Sequence, residues 1–268
     1  MKTRILSGIV LAIIMISSSF YGGLYLYLLC LGVSLIGMYE LYKVINMQKS
    51  PMAFVGYLGA ILYYLCIITG YEKYDIFVFV VVLMAIMSVY VFTFPKYTIE
   101  QVTLMFLGLF YVAVMLSYIY KVRILEDGIY IVWLVFIASW GNDTCAYFTG
   151  VFLGKHKMAP ILSPKKSIEG AIGGIAGSTL LGAILGYIVS GRITENFIHP
   201  VLIFAIASFV GAILAIIGDL TASAIKRNHN IKDYGKLIPG HGGILDRYDS
   251  VIFTAPAVFW AVFILNRL

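Results

Sequence analysis

Charge is the scarcest property of this sequence. Asp, Glu, Lys and Arg together make up 12% of its 268 residues, against about 25% in soluble globular domains. The shortage excludes a water-soluble globule, because too little polar surface remains to cover one. Acidic side chains are rarer than basic ones, at 13 against 19. Cysteine is nearly absent: Cys30, Cys66 and Cys145 lie in apolar segments, with no CxxC spacing. That excludes a disulfide framework and a thiolate metal site, and the three read as small buried residues.

Apolar residues, 61% of the total, fill the chain instead. A membrane span takes roughly 20 mostly apolar residues. Such segments lie at about 4–20, 23–45, 54–70, 74–93, 102–120, 129–149, 168–190, 197–221 and 249–266. The expectation is an all-α, polytopic integral membrane protein of about nine transmembrane helices. It forms a single membrane domain over 1–268, with N-terminal helices in 1–125 and C-terminal helices and loops in 126–268. The least marked features are the break at Tyr21-Gly22-Gly23 and the short third and fourth spans. The start, MKTRILSGIVLAIIMISSSF, has the basic end and apolar core of a signal peptide. Eight spans follow it, so an uncleaved first helix is the better reading.

The net charge of +6 is expected from basic loops facing the cytoplasm and its anionic lipids, and no nucleic-acid partner is expected. With nine spans, 14 of the 19 lysines and arginines share the side of the N-terminus, nine of them in loops 6–7 and 8–9. That places the N-terminus and both loops in the cytoplasm, in the cell (inner) membrane. The loops could equally be basic because they bind a substrate.

Most acidic residues, such as Glu72, Asp75, Glu100, Glu126, Asp127 and Glu195, lie in short loops. Glu40, at the end of span 2, is expected to snorkel or to pair with Lys43. Four carboxylates break this pattern. Asp143 lies within span 6, Asp219 near the end of span 8, and Asp246 and Asp249 where span 9 opens. A carboxylate inside a span costs about 2.5–3.5 kcal/mol on insertion scales, so such residues are usually kept for a site. If span 8 continues as a helix, Asp219, Ser223 and Arg227 follow at i, i+4 and i+8, with Lys226 alongside. Asp246 and Asp249 are three apart and share a face. The two acidic pieces could converge on one Mg²⁺, or on two cations, since Mg²⁺ takes one or two carboxylates plus water and phosphate. Asp249, just before Ser250, would also make an ordinary helix cap.

Two loops supply the complementary groups. In Pro239-Gly240-His241-Gly242-Gly243 the glycines permit positive φ and close approach of backbone N–H groups to an anion, although a plain turn would use them too. His241 has no nearby His or Cys, so no zinc site is expected; it could donate to a phosphate, act in proton transfer, or be an ordinary hydrogen-bonded loop histidine. Ser163, Lys165, Lys166 and Ser167 directly precede span 7, where a helix N-terminus attracts anions. Beyond them Gly170/Gly174, Gly173/Gly177 and Ser178/Gly182/Gly186 are spaced by four. That stripe is expected to pack helix on helix, and would also allow a homodimer. From the residues alone, buried carboxylates meet cations, hydroxyls and glycines near one membrane face. The pattern suits metal-assisted phosphate chemistry on a lipid.

The run from Ser223 to Asp249, SAIKRNHNIKDYGKLIPGHGGILDRYD, resembles the signature of the CDP-diacylglycerol synthases (phosphatidate cytidylyltransferases). Ser223, Lys226-Arg227, Lys232-Asp233, Pro239, His241-Gly242-Gly243, Asp246-Arg247 and Asp249 stand at its spacing. Upstream, NDTCAYFTG from Asn142 and GKHKMAPILSPKKSIEG from Gly154 are similar to a second conserved block of that family. The first five spans match only in being hydrophobic. The resemblance implies that CTP and phosphatidate give CDP-diacylglycerol and pyrophosphate with Mg²⁺, a second cation being open. In this reading Asp219, Asp246 and Asp249, with Asp143, organise the metal. Lys226 and Arg227 act in catalysis with Asp219 and Asp246. Substrate would be bound by Ser163, Lys165, Lys166, Ser223, Lys232, His241, Gly242, Gly243, Arg247 and Asn142. A CTP-dependent polyprenol kinase would share the layout but release CDP. An ion-coupled transporter would place acidic residues at mid-membrane and often carry an internal repeat, which this sequence lacks. The Asp-Gly-x-x-Ala-Arg start of the classical CDP-alcohol phosphotransferases is absent.

Overall fold

The computed structural model describes residues 2–193, 199–240 and 242–266. His241 and Glu195 therefore lie outside the described residues. Among the described residues nine long helices follow one another: α1 Lys2–Tyr21, α2 Gly23–Lys43, α3 Pro51–Thr69, α4 Asp75–Phe92, α5 Ile99–Arg123, α6 Gly128–Leu153, α7 Ile168–Val189, α8 Pro200–Asn228 and α9 Leu245–Leu265. Eight stretches, α2 to α9 with a 3₁₀ turn added before α4, are long and apolar enough to cross a membrane, and Gly8–Tyr21 of α1 adds a shorter apolar helix. This is an all-α polytopic membrane protein.

Local chemistry sets the ends of these helices. Ser50 accepts the N–H of Ala53 at 3.1 Å, and Pro51 occupies the first helical position of α3. Gly70 closes α3 in the left-handed region, at φ 73°. Thr98 and Gln101 form a capping box for α5. The break after α1 is present. Gly22 and Gly23 both take positive φ, and Arg123 donates from Nε to the carbonyl of Ser19 at 2.8 Å.

Three departures from the expected spans bear on the site. Span 8 runs on to Asn228 as a single helix, so Asp219, Ser223 and Arg227 do follow one another along it. Span 9 begins at Leu245, four residues early, which puts Asp249 a turn inside the helix and not at its cap. Loop 6–7 contains a two-stranded antiparallel hairpin, β1 Lys157–Ala159 and β2 Ser163–Ser167. In addition, α5 and α6 each contain a π-helical stretch, at Leu109–Val114 and Ile137–Gly141. The second immediately precedes Asn142 and Asp143 and re-registers the side chains that follow.

The chain forms two compact units. The first comprises Met1–Ile14, Gly23–Ser117 and Asp233–Asp246. Its core is aromatic: Tyr42 donates to the carbonyl of Met105 at 2.6 Å, and Tyr63 and Tyr64 bond Ser117 and Ser34 at 2.9 and 2.8 Å. These bonds satisfy hydroxyls that would be costly unpaired in an apolar interior. The second unit comprises Met15–Gly22, Tyr118–Lys232 and Arg247–Leu268. Its frame is α6, α7 and α8 packed through small residues. A Cβ on Gly174 or Gly177 would meet Ala146 at 2.9 Å or Cys145 Sγ at 2.6 Å of α6. One on Gly182 or Gly186 would meet Phe204 or Pro200 of α8 at 2.8 and 2.9 Å. The small-residue stripe thus packs α7 against α6 and α8 of the same chain, as the spacing predicts.

Candidate active site

In the second unit α6, α7, α8 and the hairpin enclose a cavity of about 500 Å³. Its polar wall is Asn142, Asp143, Lys165, Lys166, Ser167 and Asp219; its apolar wall includes Tyr147, Val151 and Ile216. Lys166 forms an ion pair with Asp219, and both side chains are about a quarter exposed, at 27% and 23%. Asp143 is exposed to the cavity and lies within electrostatic reach of Lys166, Asp219 and Arg247. Asp249 lies within reach of Asp219, Lys226 and Asp143. Three carboxylates and four cations therefore meet in one neighbourhood. Among the described residues no three His, Cys, Asp or Glu side chains close on a single point as a ready-made cation cage.

The supports are local. Ser167 caps α7 by accepting the Gly170 N–H at 3.1 Å, fixing the step from β2 into the helix. Glu169 closes the base of the hairpin: it accepts the Lys155 N–H at 3.0 Å and bonds His156 Nδ1 at 2.6 Å. Together they hold the strand that carries Lys165 and Lys166. Gly150 is small because a Cβ there would stand 3.1 Å from Ser167 Oγ. Asn142 is 1% exposed, and neither polar atom of its side chain has a hydrogen-bond partner. A buried unpaired amide costs about 1–3 kcal/mol, and at a cavity wall a ligand or water can complete it.

Of the residues predicted from sequence, the cavity gathers Asn142, Asp143, Lys165, Lys166 and Asp219, with Lys226, Arg247 and Asp249 within electrostatic reach. Ser163 opens β2, Ser223 and Arg227 follow Asp219 along α8, and Lys232 is exposed in the next loop. These four are not among the described lining residues of the cavity. Gly242, Gly243 and Asp246 belong to the first unit. There Asp246 Oδ2 accepts the N–H groups of Tyr234 at 2.8 Å and Gly243 at 2.9 Å.

Sequence reasoning missed Glu169, took Ser167 only as part of a basic helix start, and misread Glu40. Ser167 was legible as a serine before an apolar run, the usual helix-start signal. Glu40 was not legible. It is 4% exposed and accepts the N–H groups of Ile244 at 3.1 Å and Leu245 at 2.8 Å. It does not snorkel, although Lys43 remains within electrostatic reach.

Comparison with known proteins identifies the family. The chain is 30% identical over 270 residues to the phosphatidate cytidylyltransferase of Bacillus subtilis (strain 168), covering 97% of each chain. It is 31% identical over 260 residues to the phosphatidate cytidylyltransferase of Staphylococcus haemolyticus (strain JCSC1435), covering 96% of each. The profile of the cytidylyltransferase family matches residues 2–265, nearly the whole sequence including both carboxylate-bearing helix ends, and the chain belongs to that family.

Proposed function

We propose that this protein transfers the cytidylyl group of CTP to phosphatidate, giving CDP-diacylglycerol and pyrophosphate in phospholipid biosynthesis. The observation that carries the reading is the cavity in which Asp143, Lys165, Lys166 and Asp219 meet at the polar end of apolar membrane helices. Family membership and the names of the relatives support the same reaction.

A phosphatidate oxygen attacks the α-phosphorus of CTP in line, the new P–O bond forms, and the bond to the β-phosphate oxygen breaks to release pyrophosphate. The nucleophile is already anionic, so no strong general base is needed. Catalysis comes from positioning and from neutralising charge. Lys165 and Lys166 lie on the cavity wall where they can hold phosphate oxygens. Lys226 and Arg247 add positive charge around Asp249 and Asp143 respectively. Buried Asn142 offers an amide donor and acceptor at the same wall.

The donor set fits Mg²⁺, since Asp143, Asp219 and Asp249 are hard oxygen donors beside a cavity for phosphate. When bound, the ion would neutralise charge on the transferring phosphoryl oxygens. Asp219 and Asp249 would hold it, with Asp143 free to take part. The basic ends of α8 and the hairpin support a site on the cytoplasmic side of the cell membrane, by the positive-inside rule.

Labelled CTP tests the reaction directly. With purified protein, phosphatidate and Mg²⁺, label from the α-phosphorus of CTP should enter lipid and label from the γ-phosphorus should leave as pyrophosphate. EDTA should stop both. Transfer of γ-label to lipid would make the protein a CTP-dependent lipid kinase instead.

A further inference from the structure

Among the described residues that precede helix α9, none supplies a local side-chain cap. The residues before Leu245 are Gly242, Gly243 and Ile244, and none offers the Ser, Thr, Asp or Asn oxygen that usually satisfies the first amides. The acceptor comes instead from α2. Glu40 takes the N–H groups of Ile244 and Leu245, from 204 and 205 residues away in sequence. A carboxylate is suited to that position by the helix dipole as well as by the two donors.

The surrounding glycines are shaped to this carboxylate. A Cβ on Gly235 or on Gly243 would overlap the Glu40 carboxyl group. A Cβ on Gly242, which has φ +84°, would press on Asp246. Asp246 in turn ties the loop across itself through Tyr234 and Gly243, and Ile238 pairs with Gly242 at 2.9 Å. The N–H groups of Gly243, Ile244 and Leu245 are therefore spent on protein carboxylates before any substrate arrives. In this part of the loop the glycines make room for Glu40 and Asp246, not for a phosphate.

We infer that Glu40 is a positioning residue, through which the N-terminal helices fix the glycine loop and Asp246 in their working geometry. The inference rests on the function proposed above. A local cap on α9 would stabilise the helix equally well; a cap supplied from α2 also fixes where the loop lies. Small displacements of positioned groups cost transition-state stabilisation more than ground-state binding. Loss of Glu40 should therefore appear in kcat.

Glu40→Gln tests this, since it keeps the shape but turns one accepting oxygen into a donor. In detergent-purified protein kcat should fall about 10- to 100-fold, with KM for CTP and for phosphatidate unchanged within about twofold. Amide hydrogen exchange should quicken in a peptide spanning 242–246 and stay slow in α3. Glu40→Asp, which keeps the charge but is one methylene short, should recover part of kcat, and it replaces Gln in the same measurements should Glu40→Gln not fold. Wild-type kcat per folded molecule, or unchanged exchange at 242–246, would overturn the inference even if the melting temperature fell. An inactive wild type would sink the cytidylyl-transfer reading, while the exchange data would still decide whether Glu40 holds the loop.

Discussion

Lys166 and Asp219 show how magnitude separates stability from function at one contact. Their ion pair is about a quarter exposed on each side, and partly exposed pairs contribute only about 0–1 kcal/mol to stability. Asp219→Asn and Lys166→Met should therefore melt within a few degrees of the parent. Removing a group that neutralises transition-state charge costs about 100- to 1,000-fold in rate, so each variant should lose at least that factor in kcat. Because the two act on one site, the double variant should lose far less than the product of the single losses. Asp246 behaves differently. Its Oδ2 holds two backbone amides, so Asp246→Asn should also lower stability, by about 1–3 kcal/mol, measurable as a lower melting temperature. Asp143 and Asp219 were legible in the sequence because a carboxylate in an apolar span has a cost that demands a reason. Glu40 was hidden because Lys43, three residues on, supplied a sufficient local reason. Its true partners are more than 200 residues away.

At the scale of elements, α7 and the hairpin divide the labour. The face of α7 built from Gly170, Gly174, Ser178, Gly182 and Gly186 is buried, against α6 and α8 of the same chain. Gly182→Leu should accordingly destabilise the protein by about 1–3 kcal/mol through overpacking. In detergent it should lower the melting temperature without changing the elution volume of the native species. The hairpin presents Lys165 and Lys166, and Glu169 fastens its base through Lys155 and His156. Glu169→Ala should raise KM for CTP about three- to tenfold, because a looser strand weakens ground-state phosphate contacts, with kcat less affected. Periodicity and glycine spacing made α7 legible, including its role in packing. The hairpin was not legible, because two short polar strands carry no alternating apolar pattern to announce them. The π-helical stretch before Asn142 was equally silent, since Ile137–Gly141 differs from regular helix in hydrogen bonding and not in composition.

For the whole molecule, scarcity of charge predicted a bundle of membrane helices and composition placed nearly all of their boundaries. The grouping of those helices was not written in any local pattern. Segment 233–246 belongs to the unit formed largely by the N-terminal helices, while the following residues belong to the other. Long-range contacts such as Glu40 to Leu245 decide this, and they have no signature in one sequence. Sidedness can be tested chemically. In cells carrying Lys165→Cys in a background without Cys30, Cys66 and Cys145, a membrane-impermeant maleimide should label only after permeabilisation. Labelling of intact cells would reverse the orientation.

The most direct measurement is turnover by purified wild type and Asp219→Asn side by side, following cytidylyl lipid and pyrophosphate together. The account predicts one pyrophosphate for each CDP-diacylglycerol in the wild type, and at least a 100-fold lower rate in a variant that melts normally. Equal rates in the two proteins would contradict the placement of the active site, and lipid labelled without pyrophosphate would contradict the reaction itself.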